Sequence, residues 1–143
     1  MENINLITTT ITNKSDVITP PQGTIYVFKI DSKIYQKMSN GIVMPYPFSI
    51  YKIGSQDQKD AKQIEADGHK AIFALILKNC SSVEQTNRLL AALDKYTGIY
   101  LILEAKNWDL AKSRIDVMLS AGDITSDDKI LINKYINMAA FTL

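Results

Sequence analysis

The stretches GTIY (23–26) and YKIG (51–54) each set a tyrosine close to a glycine in a β-branched, apolar run. Tyr26 and Tyr51 are open to two readings: groups of an active site, or strand residues with buried rings and hydroxyls at the sheet edge. The rest of the chemical inventory is thin. His69 is the only histidine and Cys80 the only cysteine. A Ser-His-Asp or Cys-His mechanism would have to run through His69, and no nucleophile-elbow pattern lies near it. One cysteine allows no intrachain disulfide. A zinc or iron site would need carboxylates for its remaining ligands, a poor donor set for either metal.

The bulk composition is that of a folded chain. With 143 residues, 46% hydrophobic and 22% charged, the protein is long enough to bury one sizeable core. Sixteen Lys and Arg stand against fifteen Asp and Glu, a net charge of +1. A protein that grips nucleic acid by neutralising phosphates carries a basic excess or a basic run. Here the cations are scattered singly, so DNA binding would need a local patch. No stretch approaches the ~20 apolar residues that span a bilayer. The polar start MENINLITTT does not read as a secretory signal. Together with the single cysteine this predicts an intracellular protein, cytoplasmic or within a host cell if viral, with no membrane partner. The richness in Ile, Lys and Asn fits an AT-rich coding sequence.

The elements that must position these residues follow from patterning. Residues 1–22 are Thr/Asn/Ser-rich, end in Pro20-Pro21 and read as an N-terminal arm, with alternation over 8–12 able to add an edge strand. Residues 23–143 read as a single α+β domain. TIYVFKI (24–30) and KIYQKM (33–38) predict a hairpin around Asp31-Ser32, and Ser39-Asn40-Gly41 a second turn. Pro45 and Pro47 forbid a continuous central strand, leaving FSIYKI (48–53) as the better strand. Ser55 caps a weakly apolar helix that Gly68 stops. KAIFALILK (70–78) and GIYLILEA (98–105) are continuous apolar runs, read as strands buried on both faces. Between them, Ser81 or Ser82 caps a helix with Glu84 or Gln85 at the capping-box position. Asn107 caps a helix with an apolar stripe from Trp108 to Leu119, closed by Gly122, and Ser126 caps the last. The prediction is a small mixed sheet with an N-terminal hairpin, a right-handed βαβ unit formed by 70–78 and 98–105, and two C-terminal helices.

GTIY, then YKIG, a polar helix, an apolar strand and a helix carrying Glu84 resemble the GIY-YIG nuclease superfamily, above all its divergent viral and phage branch. The resemblance covers about residues 23–96. It implies a small three-stranded sheet flanked by helices and a metal-dependent DNA endonuclease. Tyr26 and Tyr51 would flank the scissile phosphate, one of them helping to activate water. A cation from the helix after Gly54, Lys62 or Lys59, would steady the phosphorane, and Glu84 would hold a magnesium ion. The residue types suit phosphodiester hydrolysis, which needs an activated nucleophile, charge stabilisation and a Lewis acid. The chain departs from the pattern in three places. Thr24 separates the glycine from Ile-Tyr, residues 31–47 become an insertion, and lysines, which lack arginine's bidentate fork, follow YKIG.

Each of these residues also has a structural reading. Glu84 suits the first turn of a helix through the dipole, Lys59 and Lys62 a solvated face, His69 a surface turn, Cys80 a small buried position and Trp108 a core anchor. A second class of function then stands beside the nuclease: a small non-catalytic module, without a cofactor, that binds a protein partner or its own kind. Its candidate contact is the proline-fixed apolar loop MPYPF, with Met44, Tyr46 and Phe48.

Overall fold

The computed structural model describes residues 3–47 and 55–143. The chain divides into two compact units, 1–50 and 51–143.

The first unit is a four-stranded mixed sheet in the order β1-β2-β3-β4, with β1 Asn3–Leu6, β2 Thr24–Ile30, β3 Lys33–Lys37 and β4 Val43–Pro45. The β2–β3 hairpin forms where expected. Asp31 and Ser32 both take positive φ (49° and 70°), which matches the turn to the right-handed twist of the strands. Between β3 and β4, Met38 N–H donates to Ile42 O and leaves the three-residue loop 39–41, which Gly41 (φ 87°) closes with its N–H on Met38 O at 2.9 Å, a position that favours glycine. β4 ends at Pro45, a proline tolerated there because its missing donor faces away from β3. β1 pairs parallel to β2, so the segment expected as an arm supplies the sheet's first strand, at 3–6 rather than 8–12. The crossover from β1 back to β2 contains one 3-10 turn, Lys14–Asp16. The strand expected over 48–53 lies outside the described residues.

The second unit is helical: α1 Gln56–Asp67, α2 Lys70–Lys78, α3 Val83–Lys95, α4 Ile99–Glu104, α5 Trp108–Ser120 and α6 Ser126–Thr142. The predicted caps hold at Ser55, Ser82 and Asn107, whose side chains accept from Gln58 N, Gln85 N and Leu110 N. Thr125, not Ser126, caps α6, through a reciprocal box with Asp128. Gly68 and Gly122 end α1 and α5 as expected, both at positive φ.

The class is α+β, with the mixed sheet, the hairpin and the two C-terminal helices in place. The βαβ unit is not: 70–78 and 98–105, expected as its strands, are α2 and α4. An apolar run of eight or nine residues carries no period that separates a strand from a buried helix. What decides is the surface available to cover it. α6 is apolar around most of its circumference, burying Ile132, Tyr135, Ile136, Met138, Ala139, Ala140 and Phe141, and packs against α1, α2 and α5. Against such a neighbour α2 buries Ala71, Ile72, Phe73, Leu75 and Ile76 and exposes Ala74. In α4 the buried pair is Ile99 and Leu103, one turn apart, while Tyr100 and Leu101 face solvent.

Candidate functional site

The sheet sorts the first unit's residues onto two faces. Register pairs Tyr26 with Asn5 and Lys37, and Phe28 with Tyr35. Phe28 and Tyr35 stack at 5.9 Å between ring centroids, and Lys14 Nζ lies 4.4 Å from the Tyr35 centroid. Lys37 Nζ donates to Val17 O, and Val17 is buried. The crossover therefore packs over the Tyr26 face, and Tyr26 itself is half-buried beside Phe28.

The opposite face carries Ile4 and Leu6 of β1, Ile25 and Val27 of β2, Gln36 of β3 and Met44 of β4. The register Ile4–Ile25, Leu6–Val27, Val27–Gln36 and Gln36–Met44 sets them in rows. Its centre is buried: Ile25, Val27 and Gln36 are all below a tenth exposed. Its margins are open, with Ile4 50%, Leu6 37% and Met44 39% exposed. Tyr46, just past β4, is half-buried and donates its N–H to Ile34 O at 3.0 Å. Of the residues read as a docking loop, Met44 is thus on an exposed sheet margin, Tyr46 is tied back to β3, and Phe48 lies outside the described residues.

In the helical unit Lys62 sits on the exposed side of α1, and Glu84 is exposed in the first turn of α3. Tyr51 lies outside the described residues. Among the described residues no group of three or more His, Cys, Asp or Glu is placed to hold a metal ion. His69 is half-buried between α1 and α2. Cys80 is half-buried, its thiol donating to Ile76 O at 3.4 Å, and Trp108 is buried at the head of α5. No helix among the described residues is long and apolar enough to cross a membrane.

The strongest polar constellation was not singled out from sequence. Asp128, fully buried, accepts from Arg88 Nε and, at 2.9 Å, from Arg88 Nη2. Its other donors are Gln85 Nε2 at 3.0 Å and Thr125 N at 2.9 Å. Gln85 Oε1 in turn accepts from Ser81 N at 2.7 Å. Burial pushes the Asp128 carboxyl up. The bonds from Arg88, Thr125 and Gln85 and the guanidinium charge outweigh it and hold the group at about 2. The local signals for this cluster are of the capping kind: Gln85 at the capping-box position after Ser82, and Thr125-x-x-Asp128, which the reading of Ser126 as the cap passed over. Nothing in the sequence announced that Arg88 and Gln85, some 40 residues earlier, would meet it.

Two further clusters are of the same kind. Asp60 accepts from the Tyr135 hydroxyl at 3.1 Å and from Gln56 Nε2 at 2.9 Å. Burial first, then the Asp60 charge and hydrogen bond, raise the Tyr135 phenol far above its usual range. Asp123 accepts from Tyr96 Oη at 2.7 Å and pairs with Lys95 at 3.0 Å. Asp60 and Asp128 each join one helix to another, and Asp123 ties the α5–α6 connection to the end of α3, with their oxygens engaged in those joints. No family model matches the chain, and neither does any curated protein or solved structure.

Proposed function

We propose that this chain is a non-catalytic protein-interaction or assembly module whose contact surface is the apolar face of its sheet. One observation carries the reading: on that face the centre is buried while Ile4, Leu6 and Met44 stand open at both margins. Ile4 and Leu6 adjoin on one margin and Met44 stands on the other, exposed apolar groups that a partner protein can cover. The near-neutral charge supports a protein partner over a phosphate backbone. The engaged state of the buried Asp60 and Asp128 and of the half-buried Asp123 supports a structural role for these carboxylates. A photo-activated cross-linker at Met44, with one at exposed Glu65 as control, tests the reading in cells that express the chain. The expected result is a discrete adduct at 44 alone. Equal labelling at both positions, or none at 44, rejects it.

The alternative is a GIY-YIG-like metal-dependent DNA endonuclease. It is supported by the exposure of Lys62 and Glu84, since a phosphate-contacting cation and a magnesium ligand must both be accessible. A nicking assay with and without magnesium, using Glu84→Ala as control, decides it. Cleavage that needs magnesium and disappears in the variant would establish the enzyme over the module.

A further inference from the structure

The two edges of the sheet are not equivalent. β4 is three residues long, ends in Pro45 and is followed by Pro47, so of its outward positions only Val43 carries a donor. β1, NINL, has neither charge nor proline, and all four of its residues are exposed. Its bonds to β2 come from alternate residues: Asn3 N–H donates to Gly23 O at 2.9 Å and Ile7 N–H to Val27 O at 2.8 Å. The N–H and C=O groups of Ile4 and Leu6 therefore point outward, away from β2, and β1 ends the strand order. Among the described residues no strand pairs with this edge, and an open edge of this kind is a template for another strand.

We propose that β1 pairs antiparallel with β1 of a second copy of this chain, about a two-fold axis through Asn5. The backbone fixes that register. With Asn5 facing its own symmetry mate in a non-hydrogen-bonded pair, Ile4 exchanges both main-chain bonds with Leu6 of the partner, and Leu6 with the partner's Ile4. That makes four bonds from the four outward pairs of groups, with none left over. The same register brings Ile4 and the partner's Leu6 side by side on one face, twice, so both exposed apolar side chains gain cover. The contact is isologous and closes on itself, which a head-to-tail contact would not. Four residues a side fall well short of the roughly 1,000 Å² of a permanent interface, so the pair forms and parts with concentration. This rests on the assembly reading above but uses the edge opposite Met44, so each stands or falls by its own probe.

The test uses the full chain. In a Cys80→Ser background, Asn5→Cys is oxidised beside Ile4→Cys and Leu6→Cys. Non-hydrogen-bonded partners bring Cβ atoms to about 4.5–5.5 Å, whereas 4 to 4 and 6 to 6 are diagonal. Covalent dimer should form several-fold faster at Asn5 than at either neighbour. Sedimentation of the wild-type chain should show association rising with concentration. Leu6→Pro, which removes an outward donor but no bond to β2, should weaken it by about tenfold, the loss expected for two of four main-chain bonds. Far-UV circular dichroism should be unchanged, and if Leu6→Pro does not fold, the cysteine series alone decides. A wild-type chain that stays monomeric, an association indifferent to Leu6→Pro, or equal cross-linking at 4, 5 and 6 overturns the proposal. So does pairing of β1 with another protein's strand and never with its own.

Discussion

The Tyr135 hydroxyl donates to Asp60 Oδ2 at 3.1 Å, joining the last helix of the chain to the first helix of its unit across 75 positions. Asp60 is 2% exposed, so its carboxylate depends on Tyr135 and Gln56 for what water would otherwise supply. Tyr135→Phe keeps the ring and removes only the donor. Stability of the helical unit in urea should fall by about 1–2 kcal/mol, with the slope of the transition unchanged.

The same pair sets an alkaline limit. The native Tyr135 phenol ionises well above its unfolded value near 10, so the folded state favours the neutral form. Its contribution is fully present below the unfolded value and is lost as pH rises toward the native one. Tyrosinate absorbance should show one phenol that titrates only as the helices unfold, and Tyr135→Phe should remove it.

Asp128 governs the acid side. Its native value of about 2 lies below the ordinary 3.8. Its contribution is thus complete above the unfolded value and is lost as pH falls through the native one. Asp128→Asn should lower stability at neutral pH by about 2–4 kcal/mol, because Arg88 loses its counter-charge and the amide keeps only one of the two acceptor oxygens that Arg88, Gln85 and Thr125 share. It should also flatten the loss of stability between pH 4 and pH 2, the interval between those two values, as followed by circular dichroism.

Substitution can read the helical state of 70–78 and 98–105 directly. Ala74→Lys and Leu101→Lys, on the exposed sides of α2 and α4, should each change stability by less than about 0.5 kcal/mol. Ile72→Ala and Leu103→Ala, both 0% exposed, should each cost about 2–5 kcal/mol. Strands buried on both faces would not tolerate either lysine.

On α6, Asn133 Oδ1 and Asn137 Oδ1 are buried without a hydrogen-bond partner. Replacing either by leucine, similar in volume and free of polar atoms, should stabilise the unit by about 1 kcal/mol in thermal or urea unfolding.

Local chemistry made much of this protein legible. The β-branched residues of 24–30 and 33–37, with a two-residue turn between them, specify a hairpin because side-chain shape and turn geometry act over a few neighbours. Ser55, Ser82, Asn107, Gly68 and Gly122 mark helix ends for the same reason: a cap satisfies backbone groups within one turn. The candidate site was less legible. Met44 could be named from a proline-fixed apolar loop. Ile4 and Leu6 could not, since a four-residue strand of mixed polarity looks like a tail until a neighbour pairs with it. Arg88, Gln85 and Asp128, like Asp60 and Tyr135, are brought together only by the packing of helices far apart in the chain. The apolar runs 70–78 and 98–105 mark the limit: their composition demanded burial but not a conformation, and it is the helices they pack on, α6 for 70–78 and α5 for 98–105, that cover their apolar sides.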